Sequence, residues 1–257
     1  MSAVTTKDFG PLQESYAFFL DHSTEEAEDA RTYAEQVQSL AAGTEVIRML
    51  DFGCGAGRFA AQFLARSQFA PERLQLSLVE PVDVVRQQAV ERLQSASTHP
   101  VRAWPQLPRD LETRFDLVLA NHVFYYVPEL DEVVESILRS LAPRGQFLAA
   151  IAGQSNTFLH FWNHCFALIG KPVPYNTADE FEKALSGQSI SYSKQQVEYD
   201  LNFPDSEENR LKIMHFLLGD YFVEVPRDAM VELFDPHAAD GNIAMRMRHD
   251  HFAAGPP

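Results

Sequence analysis

The stretch from Val46 to Arg58 (VIRMLDFGCGAGR) constrains this chain more than any other. An apolar run ends in Asp51, crosses Gly53, Gly55 and Gly57, and enters an amphipathic segment beginning at Phe59. In physical terms this is a buried strand, a tight turn with almost no side chains, and a helix N-terminus. Such a turn lets a ligand lie against the backbone, where the N–H groups that open a helix attract negative or polar ligand atoms. The spacing separates ligand classes. A dinucleotide-binding turn wants glycine at the first, third and sixth places, but the sixth place here is Arg58.

The pattern around this turn predicts a three-layer α/β domain. Residues 12–42 read as helical, with Ser23 or Thr24 capping the turn before Glu25 and Glu26, and Gly43 as the stop. Strands are expected at 46–51, 74–80, 100–104, 115–120 and 146–151, with helices over 57–67, 82–94 and 130–141 and a turn at Pro143-Arg144-Gly145. Near-continuous apolar strands alternating with helices indicate a parallel, doubly wound sheet covered on both faces. Beyond 152 the pattern changes to helices at 158–169, 178–185, 206–218 and 227–234 around one strand near 189–200, with a last strand at 243–252. The 257 residues therefore read as one domain: an N-terminal helical segment (1–44), a ligand-binding core (45–152), a helical cap (153–242) and the last strand.

Composition narrows the partners. The formal net charge of -15 would repel nucleic-acid phosphates, so no nucleic-acid partner is expected. Cys54 and Cys165 cannot form a disulfide framework, which fits a reducing compartment. The opening MSAVTTKDFG lacks the basic-then-apolar pattern of a secretory signal, and no apolar run is long enough to span a membrane. A cytoplasmic protein, monomeric or homodimeric and without membrane partners, is the expectation.

The G-x-G-x-G form with Asp51 two residues ahead resembles the first motif of class I S-adenosylmethionine-dependent methyltransferases, and a Rossmann-like sheet of that class is what the resemblance implies. Ligands of open α/β sheets sit at the carboxyl ends of the strands. Asp51, Gly53, Cys54, Gly55 and Gly57 would then meet the methionine end of the cofactor. Glu80, 23 residues beyond Gly57 and followed by Pro81, would accept hydrogen bonds from its ribose hydroxyls. Asn121 and His122, after the fourth strand, would face the sulfonium, and Trp104 would either cover the adenine or serve as core. S-adenosylmethionine would be the cofactor and S-adenosylhomocysteine its product.

A narrower resemblance, covering roughly residues 9–165, is to histamine N-methyltransferases. It is carried by Phe19-Leu20-Asp21-His22-Ser23-Thr24-Glu25, by Val79-Glu80-Pro81 and Arg102-Ala103-Trp104, and by His122-Val123-Phe124-Tyr125-Tyr126-Val127. Gly153-Gln154-Ser155 with Phe158 and Trp162 carry it more weakly. It implies that Glu25 holds an amine or imidazole N–H of a small-molecule substrate, that Tyr125 and Tyr126 wall the pocket, and that Phe158 and Trp162 add to the wall. The chain departs from that family at His122, where a glutamine is usual, at Thr157 or Phe158, where a tryptophan is expected, and at the acidic Asp51.

The implied activity is N-methylation of an imidazole or biogenic amine, with Glu25 and His122 as the catalytic pair and Tyr125 and Tyr126 beside them. Two other readings stand beside it: a small-molecule O-methyltransferase with His122 as general base, and a non-catalytic S-adenosylmethionine-binding or assembly protein. The same residues also have plainer roles open to them: Glu25 as a complement to a helix dipole, His122 as a backbone partner, and the tyrosines as packing. No metal is expected. His160 and His164 have helical spacing but lack partner acids, and His249 and His251, sharing one face of the last strand, read as structural or pocket-rim residues.

Overall fold

The computed structural model describes residues 7, 9–43, 45–188 and 190–255. Most of the opening stretch read for a signal, residue 189 at the start of an expected strand, and the last two residues lie outside them.

In chain order the elements are α1 (Gln13–His22), α2 (Glu25–Gln36), α3 (Gln38–Ala42), β1 (Ile47–Phe52), α4 (Arg58–Ser67), β2 (Leu74–Val79), α5 (Asp83–Leu93), β3 (Arg102–Trp104), β4 (Phe115–Asn121), α6 (Leu130–Arg139) and β5 (Leu141–Ile151). There follow α7 (Thr157–Leu168), α8 (Ala178–Gly187), β6 (Ser191–Pro204), α9 (Glu207–Leu218), α10 (Arg227–Glu232), β7 (Ala238–Ala239) and β8 (Asn242–Gly255). They form one sheet in the order β3-β2-β1-β4-β5-β8-β6, with β7 paired to β8. The first five strands run parallel and β8 and β6 antiparallel to their neighbours. Reversal of strand order between β1 and β4 opens a crevice at their carboxyl ends, the place where such sheets bind ligands.

Burial explains the patterns. Leu117, Val118, Leu119 and Ala120 of β4 are all fully enclosed, as a strand covered on both faces requires. Phe59, Ala60 and Phe63 give α4 a single buried stripe against the sheet.

Four expectations need correction. The helical stretch expected over 12–42, with a cap at Ser23 or Thr24, is three helices: one break falls at that cap, and a second, not expected, at Val37. At the first break the Thr24 N–H donates to the Asp200 carbonyl, and the Asp200 N–H donates to the Thr24 hydroxyl. Ser23, rather than Thr24, caps locally by accepting the Glu25 N–H. Pro143-Arg144-Gly145 does not precede the fifth strand. It lies inside β5, which starts at Leu141 and shifts register against β4 between Phe115 and Leu117. β3 is confined to Arg102–Trp104. The C-terminal third is more than a helical cap, because β6 and β8, 14 residues each and paired along their whole length, extend the sheet itself.

Candidate active site

The glycine turn is held from below. The N–H groups of Gly53 and Cys54 both donate to the Val79 carbonyl at the end of β2. Gly53 has φ +73°, and a Cβ there would lie 2.2 Å from Cγ2 of Val123. Gly53→Ala therefore combines left-handed strain with a clash against a stiff β-branched side chain. We expect it to destabilise the fold by about 2 kcal/mol, measured by urea unfolding, with part of the loss recovered in Gly53→Ala/Val123→Ala. Gly55 differs: at φ +51° an added Cβ would meet nothing within 4 Å, so its backbone faces open space. Its N–H donates to Oε2 of Glu80 at 3.2 Å, and Oε1 of Glu80 accepts the Val82 N–H at 3.0 Å. Two backbone amides thus hold the carboxylate over the turn. Arg86, ion-paired with Asp83, donates to the carbonyls of Glu80 and Pro81. Gly57, also left-handed, packs against Ala89 and Leu93 of α5, and the Cys54 thiol is buried and donates to the Gly55 carbonyl. Trp104 is half-buried at the end of β3, where its carbonyl accepts the Glu80 N–H.

Two acceptors at this edge are unspent. Oδ2 of Asp51 and Oδ1 of Asn121 are buried without a hydrogen-bond partner among the described residues. Burial, with Glu80 adding repulsion, pushes the Asp51 carboxyl up to about 7. Bare acceptors beside an open glycine backbone, with a carboxylate fixed over it, fit a ligand bearing an ammonium group and vicinal hydroxyls.

Beyond the end of β4 lies a second compartment, a cavity of about 90 Å³. Glu25, His122, Tyr125, Tyr126, Phe158 and Trp162 all line it. Glu25 opens α2 and shares the cavity wall with Tyr199, whose hydroxyl accepts from Asn156 Nδ2 and favours the charged form of Glu25. His122 has φ +53°, a strained value for a residue with a side chain, held by its N–H donating to the Ala150 carbonyl. Its ring is gripped at both nitrogens. Nδ1 lies 3.0 Å from the Tyr125 hydroxyl, which accepts the Ala152 N–H at 2.6 Å, and Nε2 lies 3.2 Å from Oδ2 of Asp29 and 3.6 Å from Oε1 of Glu25. Tyr125 therefore positions His122. Tyr126 meets Phe9 and Tyr175 edge-on, and Lys7 stands over its ring. Burial outweighs the attraction of Asp220 and lowers the Lys7 ammonium to about 7. Trp162 donates its indole N–H to the Leu217 carbonyl at 3.0 Å and sets its ring edge-on to Tyr125.

The electrostatics centre on Asp29, one turn beyond Glu25 and fully buried. Burial opposes its ionisation. The buried histidines, His249 foremost, nevertheless hold its carboxyl well below the ordinary range. Burial also works against a charge on His122, but Glu25 and then Asp29 raise it to about 9. Burial lifts Glu25 to about 7, against the pull of His122 and with repulsion from Asp29.

Sequence reasoning did not mark Asp29, Asn156, Tyr199 or Phe216. For Asp29 the available signal was its i+4 placement after Glu25, which puts both acids on one helix face. His249 and His251, read as structural or rim residues, are both buried against Asp29. A larger groove of about 730 Å³ between α2 and β6 has charged walls, including Glu28, Arg31, Glu198 and Arg246. Three of its acids, Glu28, Glu35 and Glu198, are already paired with those arginines, and it shares only Tyr199 with the inner cavity, so we place the candidate site at the strand ends.

A Rossmann-like sheet with a glycine turn after β1, an acid after β2 and an aromatic compartment past β4 defines an S-adenosylmethionine-dependent methyltransferase fold. The chain belongs to the methyltransferase domain family, whose model matches residues 25–188, from the start of α2 to the end of α8. It is therefore an enzyme whose methyl donor is S-adenosylmethionine. A search of curated protein sequences found no significant match. Among solved structures the chain is similar to YcgJ from Bacillus subtilis (16% identity, TM-score 0.53, covering 88% of this chain and 99% of that one). It is also similar to a geranyl diphosphate methyltransferase in complex with S-adenosylmethionine (14% identity, TM-score 0.52, 100% and 98%). At these identities the likeness is one of fold. Among the described residues no helix is long and apolar enough to cross a membrane.

Proposed function

We propose that this methyltransferase acts on a nitrogen of a small imidazole or amine, held in the cavity past β4. The observation that carries the proposal is the Glu25 carboxylate, the one acid among the described residues lining a mostly aromatic compartment of about 90 Å³. When bound, the donor supplies an electrophilic methyl group on a sulfonium sulfur. On this reading Asp51, Asn121 and the Gly53–Gly57 backbone hold its amino-acid end and Glu80 its ribose. Trp104 and Pro81 would flank the adenosine.

The cavity residues do the rest. Glu25 accepts the N–H of the acceptor and so turns the opposite lone pair toward the glycine turn. It also stabilises the positive charge that grows on the acceptor as the new bond forms. Alignment and exclusion of water by Tyr126, Phe158 and Trp162 supply further rate, because a neutral imidazole already has its lone pair free. His122, engaged at both ring nitrogens, fixes Glu25 and Asp29 relative to one another. That engagement is the reason the reading with His122 as a general base for a hydroxyl acceptor is less well supported.

The test is incubation with methyl-labelled donor and a panel of imidazoles, primary amines, carboxylic acids and phenols, followed by product analysis. Label is expected on an imidazole or amine nitrogen. Label found only on carboxylate or phenol oxygen would overturn the nitrogen assignment while leaving methyl transfer intact.

A further inference from the structure

The cluster behind the cavity is built like a metal centre. Asp29 comes from α2, and His249 and His251 stand two apart on one face of β8, each 1% exposed or less. Oδ1 of Asp29 lies 2.6 Å from Nε2 of His249 and 2.8 Å from Nε2 of His251, and the two Nε2 atoms are 3.0 Å apart. Three donor atoms from three side chains thus form a small triangle. Ligands held about 2.1 Å from one ion and about 90° apart are themselves about 3.0 Å apart, the spacing of two imidazoles and one carboxylate on a shared divalent ion.

Hydrogen bonding alone accounts for this triangle poorly. Without an ion, one Nε2–H can be shared between Asp29 and the other ring, which leaves a bare Nε2 lone pair beside the carboxylate. Alternatively both imidazoles carry their proton on Nε2, and two N–H groups then crowd onto a single oxygen with their nitrogens only 3.0 Å apart. That tautomer also leaves the Nδ1 lone pair of His249 facing Oε1 of Glu25 at 3.7 Å. An ion reverses both features. The Nε2 lone pairs converge on it, and the Nδ1 proton of His249 is turned toward the Glu25 carboxylate, 3.7 Å away and beyond hydrogen-bond distance, so that an attractive contact replaces a repulsive one. The other carboxylate oxygen of Asp29 is already occupied, by Asn121 Nδ2 at 3.0 Å and His122 Nε2 at 3.2 Å, which leaves Oδ1 to the ion. The scaffold is rigid as well: β8 pairs at His251 with Ala150 of β5 and Gln195 of β6, and at His249 with Val197.

We propose that Asp29, His249 and His251 bind one divalent transition-metal ion of the zinc, iron or cobalt type. The site joins the acceptor cavity through Glu25 and His122, so the ion would fix the two residues on which nitrogen recognition rests. Metal binding does not depend on that recognition, and the two proposals can fail separately.

The test needs no acceptor. Chelator-treated full-length protein is titrated with Co²⁺ and followed by visible absorption, and the protein as purified is assayed for metal by elemental analysis. One equivalent of Co²⁺ per chain with ligand-field bands is expected, with binding at least about 100-fold weaker in His251→Gln. The exposed pair His160 and His164 on α7 serves as control, and His160→Gln/His164→Gln should titrate like the parent. Should His251→Gln fail to fold, the parent protein still decides, because Zn²⁺ should raise the Tm of the chelator-treated form by several degrees. Absence of both cobalt bands and a Tm shift in the folded parent would overturn the site and leave a hydrogen-bonded network. Unchanged cobalt affinity in a folded His251→Gln would overturn it equally.

Discussion

Glu80→Ala is expected to weaken S-adenosylhomocysteine binding by about 100-fold, read by calorimetry, while the far-ultraviolet dichroism stays unchanged. The carboxylate lies one residue past β2 and is aimed by two backbone amides, Gly55 at 3.2 Å and Val82 at 3.0 Å. Each oxygen spends one acceptor position on the backbone and keeps others, which on the proposed reading take the ribose hydroxyls. Hydrogen bonds to a charged group contribute about 1.5–3 kcal/mol each, and losing a pair accounts for a loss of two orders of magnitude. Removing the side chain also frees the Gly55 N–H, so some of the loss would come from a looser turn. Glu80→Gln separates the two contributions. It can keep an acceptor for Gly55 but no longer offers two charged oxygens, and should lie between parent and alanine. Equal affinity in parent and Glu80→Ala would show that this acid does not hold the ribose.

How much of this could be read from residues depends on how local each feature is. The turn from Asp51 to Arg58 was legible because its conformation is set within eight residues: glycines at left-handed φ leave few other backbones open. Strands β1, β2 and β4 were legible because a strand covered on both faces must be apolar throughout. The capped start at Ser23-Thr24 was legible from its hydroxyl residues ahead of two acids, but its anchorage was not, because both hydrogen bonds that hold it go to Asp200, some 180 residues away in sequence. Local chemistry there favours a helix start, and the strand edge fixes where that start is held. Pro143 could be read as a strand breaker, yet it lies in the register shift of β5, where a missing N–H is tolerated. The partners of Asp29 were invisible for a similar reason. Nothing near residue 29 signals that β8 will run between β5 and β6 and bring His249 and His251 to it. Their spacing of two showed that they share a face, and only the sheet order shows what that face meets.

Glu25→Gln is expected to lower turnover by about 100-fold on a nitrogen acceptor while donor affinity stays within about twofold. The substitution keeps the shape of the side chain and an oxygen toward Tyr199, so the cavity should hold its form. What it removes is a formal charge in a buried place where little water screens it. Methyl transfer creates one positive charge on the acceptor, and a carboxylate in such surroundings stabilises that charge more in the transition state than in the ground state. Loss of one preorganised electrostatic partner of this kind typically costs 10²–10³ in kcat, about 2.7–4 kcal/mol. The effect should fall on kcat, with KM rising less, since the neutral acceptor keeps a hydrogen-bonding partner in glutamine. Glu25 stands one turn from Asp29 and lines the inner cavity, with no hydrogen bond to the glycine turn among the described residues, so a parallel loss of donor affinity would mean that the variant had disturbed the strand ends rather than the chemistry. Turnover equal to the parent on every nitrogen acceptor would remove Glu25 from the reaction and return it to the plainer role of a first-turn acid on α2.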